Sequence, residues 1–169
     1  MILSVINLCY ATNAQIIIDS YEVEVGSTVD VSIVILNAQE IAGGSVKIYF
    51  SNYKSLIVIV EVDTGDFSMP AANINNSEGF VHLAASLPRA VGKTNATLAV
   101  LKCNGTNIGD AYLCIEWAEL NDEQGNLITP DVTGNGKVHV IPEFEAAALL
   151  LALLFLATLA AIISRALRC

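Results

Sequence analysis

The sequence predicts an all-β sandwich followed by a single apolar helix of membrane-spanning length. Three observations carry this expectation. Between residues 16 and 141, short alternating segments are separated by clusters of Gly, Asn, Pro and Ser. No stretch before Pro142 repeats at helical spacing. Residues 146–163 hold no charge, and their only polar side chain is Thr158. Alternation puts every second side chain on one face of a strand, and eight or nine such strands with turns between them form a sandwich or jelly roll. Eighteen residues at about 1.5 Å each give roughly 27 Å of helix, close to the hydrocarbon thickness of a bilayer.

The elements follow in chain order. Residues 1–10 (MILSVINLCY) are apolar, and residues 12–14 end in the small Ala14, which resembles the apolar region and cleavage site of a secretory leader. The basic residues usual at the start of a leader are absent, so a truncated leader over 1–14 competes with a first buried strand. Residues 21–25 and 29–33 alternate, with Val29, Val31 and Ile33 on one face. Gly43 and Gly44 lead into a strand at 46–50. The continuous apolar run 56–60 fits a strand at the centre of a sheet. Further strands are expected at 79–86, 96–103, 111–119 and 137–141. The module is thus assigned to residues 15–141, a junction to 142–145, the membrane helix to 146–163 and a short tail to 164–169.

The composition agrees with this division. Of 169 residues, 54% are hydrophobic and 15% charged, with a mean hydropathy of +0.58. That excludes a disordered chain, which would be polar and highly charged. Residues 15–142 hold six basic and fifteen acidic side chains, a net −9, which argues against nucleic-acid binding through a basic patch. Arg165 and Arg168 follow the apolar run while Glu143 and Glu145 precede it, so the tail is expected inside and the acidic module outside.

An exported module brings covalent expectations. Cys103 and Cys114 flank a Gly-rich turn, 104–110. Two strands joined by that turn would bring the thiols together for oxidation, the alternative being two unpaired thiols. Asn75, Asn95 and Asn104 each begin an Asn-x-Ser/Thr sequon that can accept a glycan outside the cell.

Taken in order, several segments resemble cohesin modules. Val25-Gly26-Ser27-Thr28-Val29-Asp30-Val31 is similar to their opening strand, and residues 37–44 (NAQEIAGG) to their loop into the third strand. Residues 56–67 (LIVIVEVDTGDF), 121–128 (NDEQGNLI) and 136–140 (GKVHV) are similar to later family segments. The resemblance covers residues 25–140 and implies a nine-strand jelly-roll sandwich that engages a dockerin-type protein. Two departures stand out. The turn after the third strand reads Phe50-Ser51-Asn52-Tyr53 without the family's Asp-Pro, and the positions where type I cohesins often present Asn-x-Asp to the dockerin are Gly43 and Ser45. Pro142-Glu143-Phe144 before an apolar helix and terminal arginines resembles the sorting signal of archaeal surface proteins, which a sortase-like (archaeosortase-like) enzyme processes. The alternative is a permanent anchor with Pro142 in the first turn of the helix.

Catalytic signatures are absent from the sequence. His82 and His139 both fall in expected strands and read as sheet-surface residues. Glu116, Glu119, Asp122 and Glu123 form an acidic cluster that reads as a solvated edge, because glycoside hydrolysis by paired carboxylates needs a cleft. Residues 131–136 (DVTGNG) mimic the start of a calcium loop, but position twelve would be Pro142 and no helices flank it, so a Gly-rich turn is expected. Trp117 shares parity with Leu113 and Ile115 and is expected in the core, while Tyr49, Tyr53 and Phe67 could be exposed. The reading is a non-catalytic cell-surface module without metal or cofactor. Its partner is a dockerin-type protein or, alternatively, a polysaccharide. A third alternative is a structural subunit of a surface coat or filament.

Overall fold

A computed structural model of the chain describes residues 14–143 and 154–156. Among these residues the chain forms twelve strands: β1 (Gln15–Ile18), β2 (Tyr21–Glu24), β3 (Thr28–Leu36), β4 (Gly43–Tyr49), β5 (Ile57–Thr64), β6 (Ser68–Asn75), β7 (Phe80–Ser86), β8 (Asn95–Gly105), β9 (Gly109–Asn121), β10 (Leu127–Ile128), β11 (Asp131–Gly134) and β12 (Gly136–Ile141). A single 3-10 turn, Ser51–Tyr53, follows β4. The first sheet runs β11-β1-β3-β8-β5. The second runs β2-β12-β9-β4-β7-β6, with β10 paired to β9. Apart from two parallel pairs, β1 with β11 and β2 with β12, the ladders are antiparallel.

The sandwich is as expected, but it has more strands than nine. Both ends of the module change sheet midway. β1 lies in the first sheet and β2 in the second, and β11 and β12 repeat that switch beside them. Four strands went unread in the sequence: β1, β6, β10 and β11. β6 contains Pro70 and small polar residues without alternation, as an edge strand can. β11 is the Asp131–Gly134 segment, so the expected turn there is a strand, and Asn135 accepts the backbone N–H of Ile115 at 3.0 Å. Ala14, placed in the leader by sequence, is buried, and its carbonyl accepts the N–H of Asp131 at 2.9 Å.

The core lies between the sheets. Phe50, Phe67, Ile33, Ile48, Leu98 and Leu101 are fully buried. Removing each such side chain from water contributes about 1.5–3 kcal/mol. Among the described residues no polar or charged residue is fully buried, so this interior rests on apolar packing. Phe67, a candidate exposed aromatic in the sequence, is 1% exposed and belongs here.

The expected helix at 146–163 lies outside the described residues except for Leu154, Phe155 and Leu156, which are helical and exposed. No helix among the described residues is long and apolar enough to cross a membrane. Residues 1–13 and Phe144 of the Pro142-Glu143-Phe144 motif also lie outside them.

Candidate functional site

The second sheet presents a broad outer face, and its residues follow from the strand registers. β9, β4, β7 and β6 set four outward rows side by side. Glu119, Ser45, Ala84 and Ala71 form one row; Trp117, Lys47, His82 and Asn73 form the next. Cys114, Tyr49, Phe80 and Asn75 form a third. In the fourth, Asn121 and Gly43 meet Ser86 and Ser68. The side chains of Ser45, Ala71, Ala84 and Ser86 are short, so they leave an open hollow of about 380 Å³ walled by Glu119, Asn121 and Leu127. A Cβ on Gly43 would stand 2.9 Å from the Asn121 side chain and 3.0 Å from the Ala85 carbonyl, so glycine eases the close approach of the strands here.

Beside the hollow rises a ridge of larger groups. The Trp117 and His82 rings meet edge to face across β4, with centroids 5.2 Å apart. Ser45 Oγ sits 3.0 Å from His82 Nε2. Lys47 Nζ pairs with Glu116 at 2.9 Å and lies 4.7 Å over the Tyr49 ring. Hydrogen bonding to Tyr49, then to Glu116, raises the Lys47 pKa.

Trp117 is the main correction to the sequence reading. The β4–β9 ladder slips between Lys47 and Ile48, which pair with Trp117 and Ile115 and leave Glu116 as the extra residue. A bulge of one residue inverts the inside–outside order beyond it. Leu113 and Ile115 therefore point inward before the bulge, and Ala118 and Leu120 after it, which turns Trp117 to the outer face.

The expected Cys103–Cys114 disulfide is also corrected, since both thiols are free. β8 and β9 are not a hairpin, because the turn between them crosses from the first sheet to the second. Cys103 points into the core, where burial, with a smaller contribution from Asp30, pushes its thiol up to about 12. Cys114 shares the outward parity of Asp110 and Tyr112 on the opposite sheet.

The remaining candidates have definite places. Asn95 is exposed at the start of β8. Asn75 is half-buried and accepts the N–H of Glu78 at 3.0 Å. Asn104 lies within β8 between β3 and β5, with its Oδ1 buried and unpartnered. The acidic cluster is dispersed. Glu116 serves Lys47, Asp122 accepts the N–H groups of Gln124 and Asn126, and Glu123 accepts that of Ala90. Hydrogen bonding from Asn126 comes first among the groups that hold Asp122 below the usual carboxylate range. His139 is on the sheet surface, 2.5 Å from Asp110, and that contact is the first cause of the lowered Asp110 pKa. Among the described residues no three His, Cys, Asp or Glu side chains are grouped to hold a metal ion. The outer face does collect aromatics that sequence spacing left apart, namely Trp117, Tyr49, Phe80, Tyr53 and Tyr112. Tyr49–Phe80 and Tyr53–Tyr112 are tilted by 58° and 54°, so they make no flat strip for stacking a sugar chain.

No family model matches the sequence, and no curated relative matches it. Solved structures do. A non-cellulosomal cohesin from the hyperthermophilic archaeon Archaeoglobus fulgidus superposes with a TM-score of 0.66 at 18% identity, covering 80% of this chain and 96% of that one. The fold is that of a cohesin domain. A type I cohesin–dockerin complex from Clostridium thermocellum gives 0.65 at 16% identity over 76% of this chain and 99% of the other. A type II cohesin from the cellulosome of Acetivibrio cellulolyticus gives 0.60 at 14%, over 75% and 94%. In this cohesin-like fold Ser45, one of the two positions matching the Asn-x-Asp pair, lies on the floor of the hollow, and Gly43, the other, pairs with Asn121 at its border. The floor thus offers shape and the hydroxyls of Ser45 and Ser86, while the larger groups stand along the ridge.

Proposed function

We propose that this chain is a non-catalytic protein-docking module whose partner is a dockerin-type domain, received on the outer face of β9, β4, β7 and β6. The observation that carries the reading is the small-residue hollow bordered by the outward Trp117–His82 ridge. A concave apolar floor beside an aromatic anchor is how protein interfaces concentrate binding energy. Fold likeness to a type I cohesin solved in complex with a dockerin supports the choice of partner. The test is titration of the full chain with a panel of dockerin domains by calorimetry, alongside a glycan array. Saturable binding of a dockerin with a silent array is expected. Glycan binding without any dockerin binding would overturn the reading.

The module is further proposed to act at the cell surface, exported and attached through the apolar segment 146–163, with the Pro142-Glu143-Phe144 junction open to a processing enzyme. Mass spectrometry of the mature protein decides between the two attachments. Loss of every peptide from 146–169 is expected after sortase-like processing, and their recovery intact indicates a permanent anchor.

A further inference from the structure

We propose that His82 makes the docking face proton-responsive, so that a partner binds the neutral imidazole and is released as the ring is protonated. This rests on the docking role of that face. Ser45 Oγ lies 3.2 Å from the Leu83 carbonyl as well as 3.0 Å from His82 Nε2. We place the single serine proton on the Leu83 carbonyl, which can only accept. Ser45 Oγ is then left to accept, and His82 donates from Nε2–H. In that arrangement the neutral ring carries its proton on Nε2 and leaves Nδ1 bare, an acceptor for an N–H or O–H of the partner.

Protonation takes place at Nδ1 and leaves the Ser45 bond intact. The scaffold is kept while the presented chemistry changes from acceptor to charged donor. The surrounding groups set the sign. Lys47 on β4 is directly opposite His82, already paired with Glu116 of the β9 bulge. Glu119 on β9 lies across from Ser45, one row away, and the β6 neighbour is Asn73, which does not titrate. A charged His82 therefore adds a second cation beside Lys47 and removes the one bare acceptor that the ring offers. Docking through a partner donor weakens as the pH falls.

The chain supplies its own reporter, because Trp117 is its only tryptophan and His82 is one of only two histidines. An imidazolium touching an indole quenches its emission by accepting the excited electron, and neutral imidazole does so far less. Tryptophan emission of the full chain, read with far-UV circular dichroism as a control for folding, should fall sigmoidally between about pH 8 and pH 5, the range in which histidines change charge. His82→Gln should abolish that transition and His139→Asn should retain it. The dockerin affinity should fall about 5–10-fold over the same interval in the wild type and stay level in His82→Gln. A flat wild-type profile, an unchanged transition in His82→Gln, or a transition with pH-independent affinity each overturns the proposal. A transition in a chain that binds no dockerin at any pH overturns the docking reading and leaves the proton-responsive pair standing.

Discussion

Trp117→Ala is expected to weaken dockerin binding by about 30-fold while leaving the melting temperature within roughly 2 °C of the wild type. The ring stands on the outer face and packs on His82 rather than between the sheets, so its removal leaves no core cavity. A buried aromatic anchor at an interface contributes about 2 kcal/mol or more, which corresponds to that change in Kd. Ala84→Arg fills the hollow instead of flattening the ridge and should weaken binding at least as much. Calorimetric titration of both variants checks this. A Trp117→Ala chain that melts far below the wild type would return the side chain to the core, and unchanged affinity in both variants would move the docking surface elsewhere.

Gly65→Ala is expected to destabilise the module by about 3 kcal/mol, lowering the melting temperature by roughly 10 °C. Gly65 lies in the crossing from β5 to β6, where a Cβ would stand 2.2 Å from the Thr97 carbonyl oxygen. That obstacle is backbone, and it cannot rotate away. Relief requires the turn to lift off β8. Lifting breaks a two-way clamp in which Asp66 N–H donates to the Thr97 carbonyl at 2.7 Å and Thr97 N–H donates to Asp66 Oδ2 at 2.8 Å. Lys93 completes the clamp from the side. Its hydrogen bond, and then that of Thr97, hold the Asp66 carboxyl below the usual carboxylate range. A carboxylate whose pKa is lower in the folded state stabilises fully above its unfolded value of about 3.9 and loses that contribution as the pH falls through the folded value. Urea titrations should therefore show Asp66→Asn as less stable at neutral pH, with the gap to the wild type closing under acid. A Gly65→Ala effect below about 1 kcal/mol would mean that the turn is not clamped.

The two substitutions differ in how far the sequence could foresee them. Val29, Val31 and Ile33 alternate with polar neighbours, and two-residue periodicity alone places them on one buried face. The same rule applied to β9 is correct as far as Ile115 and fails at Trp117, because one extra residue at Glu116 inverts every later position. Nothing in the string Cys-Ile-Glu-Trp-Ala marks that residue as a bulge. Its position is set by the register of β4 against β9, and Asn135, twenty residues away, occupies the Ile115 N–H. Cys103 and Cys114 fail for a related reason. Their spacing suits a hairpin, but strand length and turn chemistry do not say whether the next strand joins the same sheet or the facing one.

The sequence by itself determined the sandwich, its acidic charge and most of its strands, because alternation, turn residues and net charge are local properties that survive any packing. The tertiary structure alone decided which face Trp117 occupies, that Cys103 and Cys114 lie apart, and that Ser45, Ala71 and Ala84 combine into one hollow. Those outcomes depend on ladder register and on the crossing between sheets. Both are fixed by contacts among residues far apart in the chain, which no local pattern encodes.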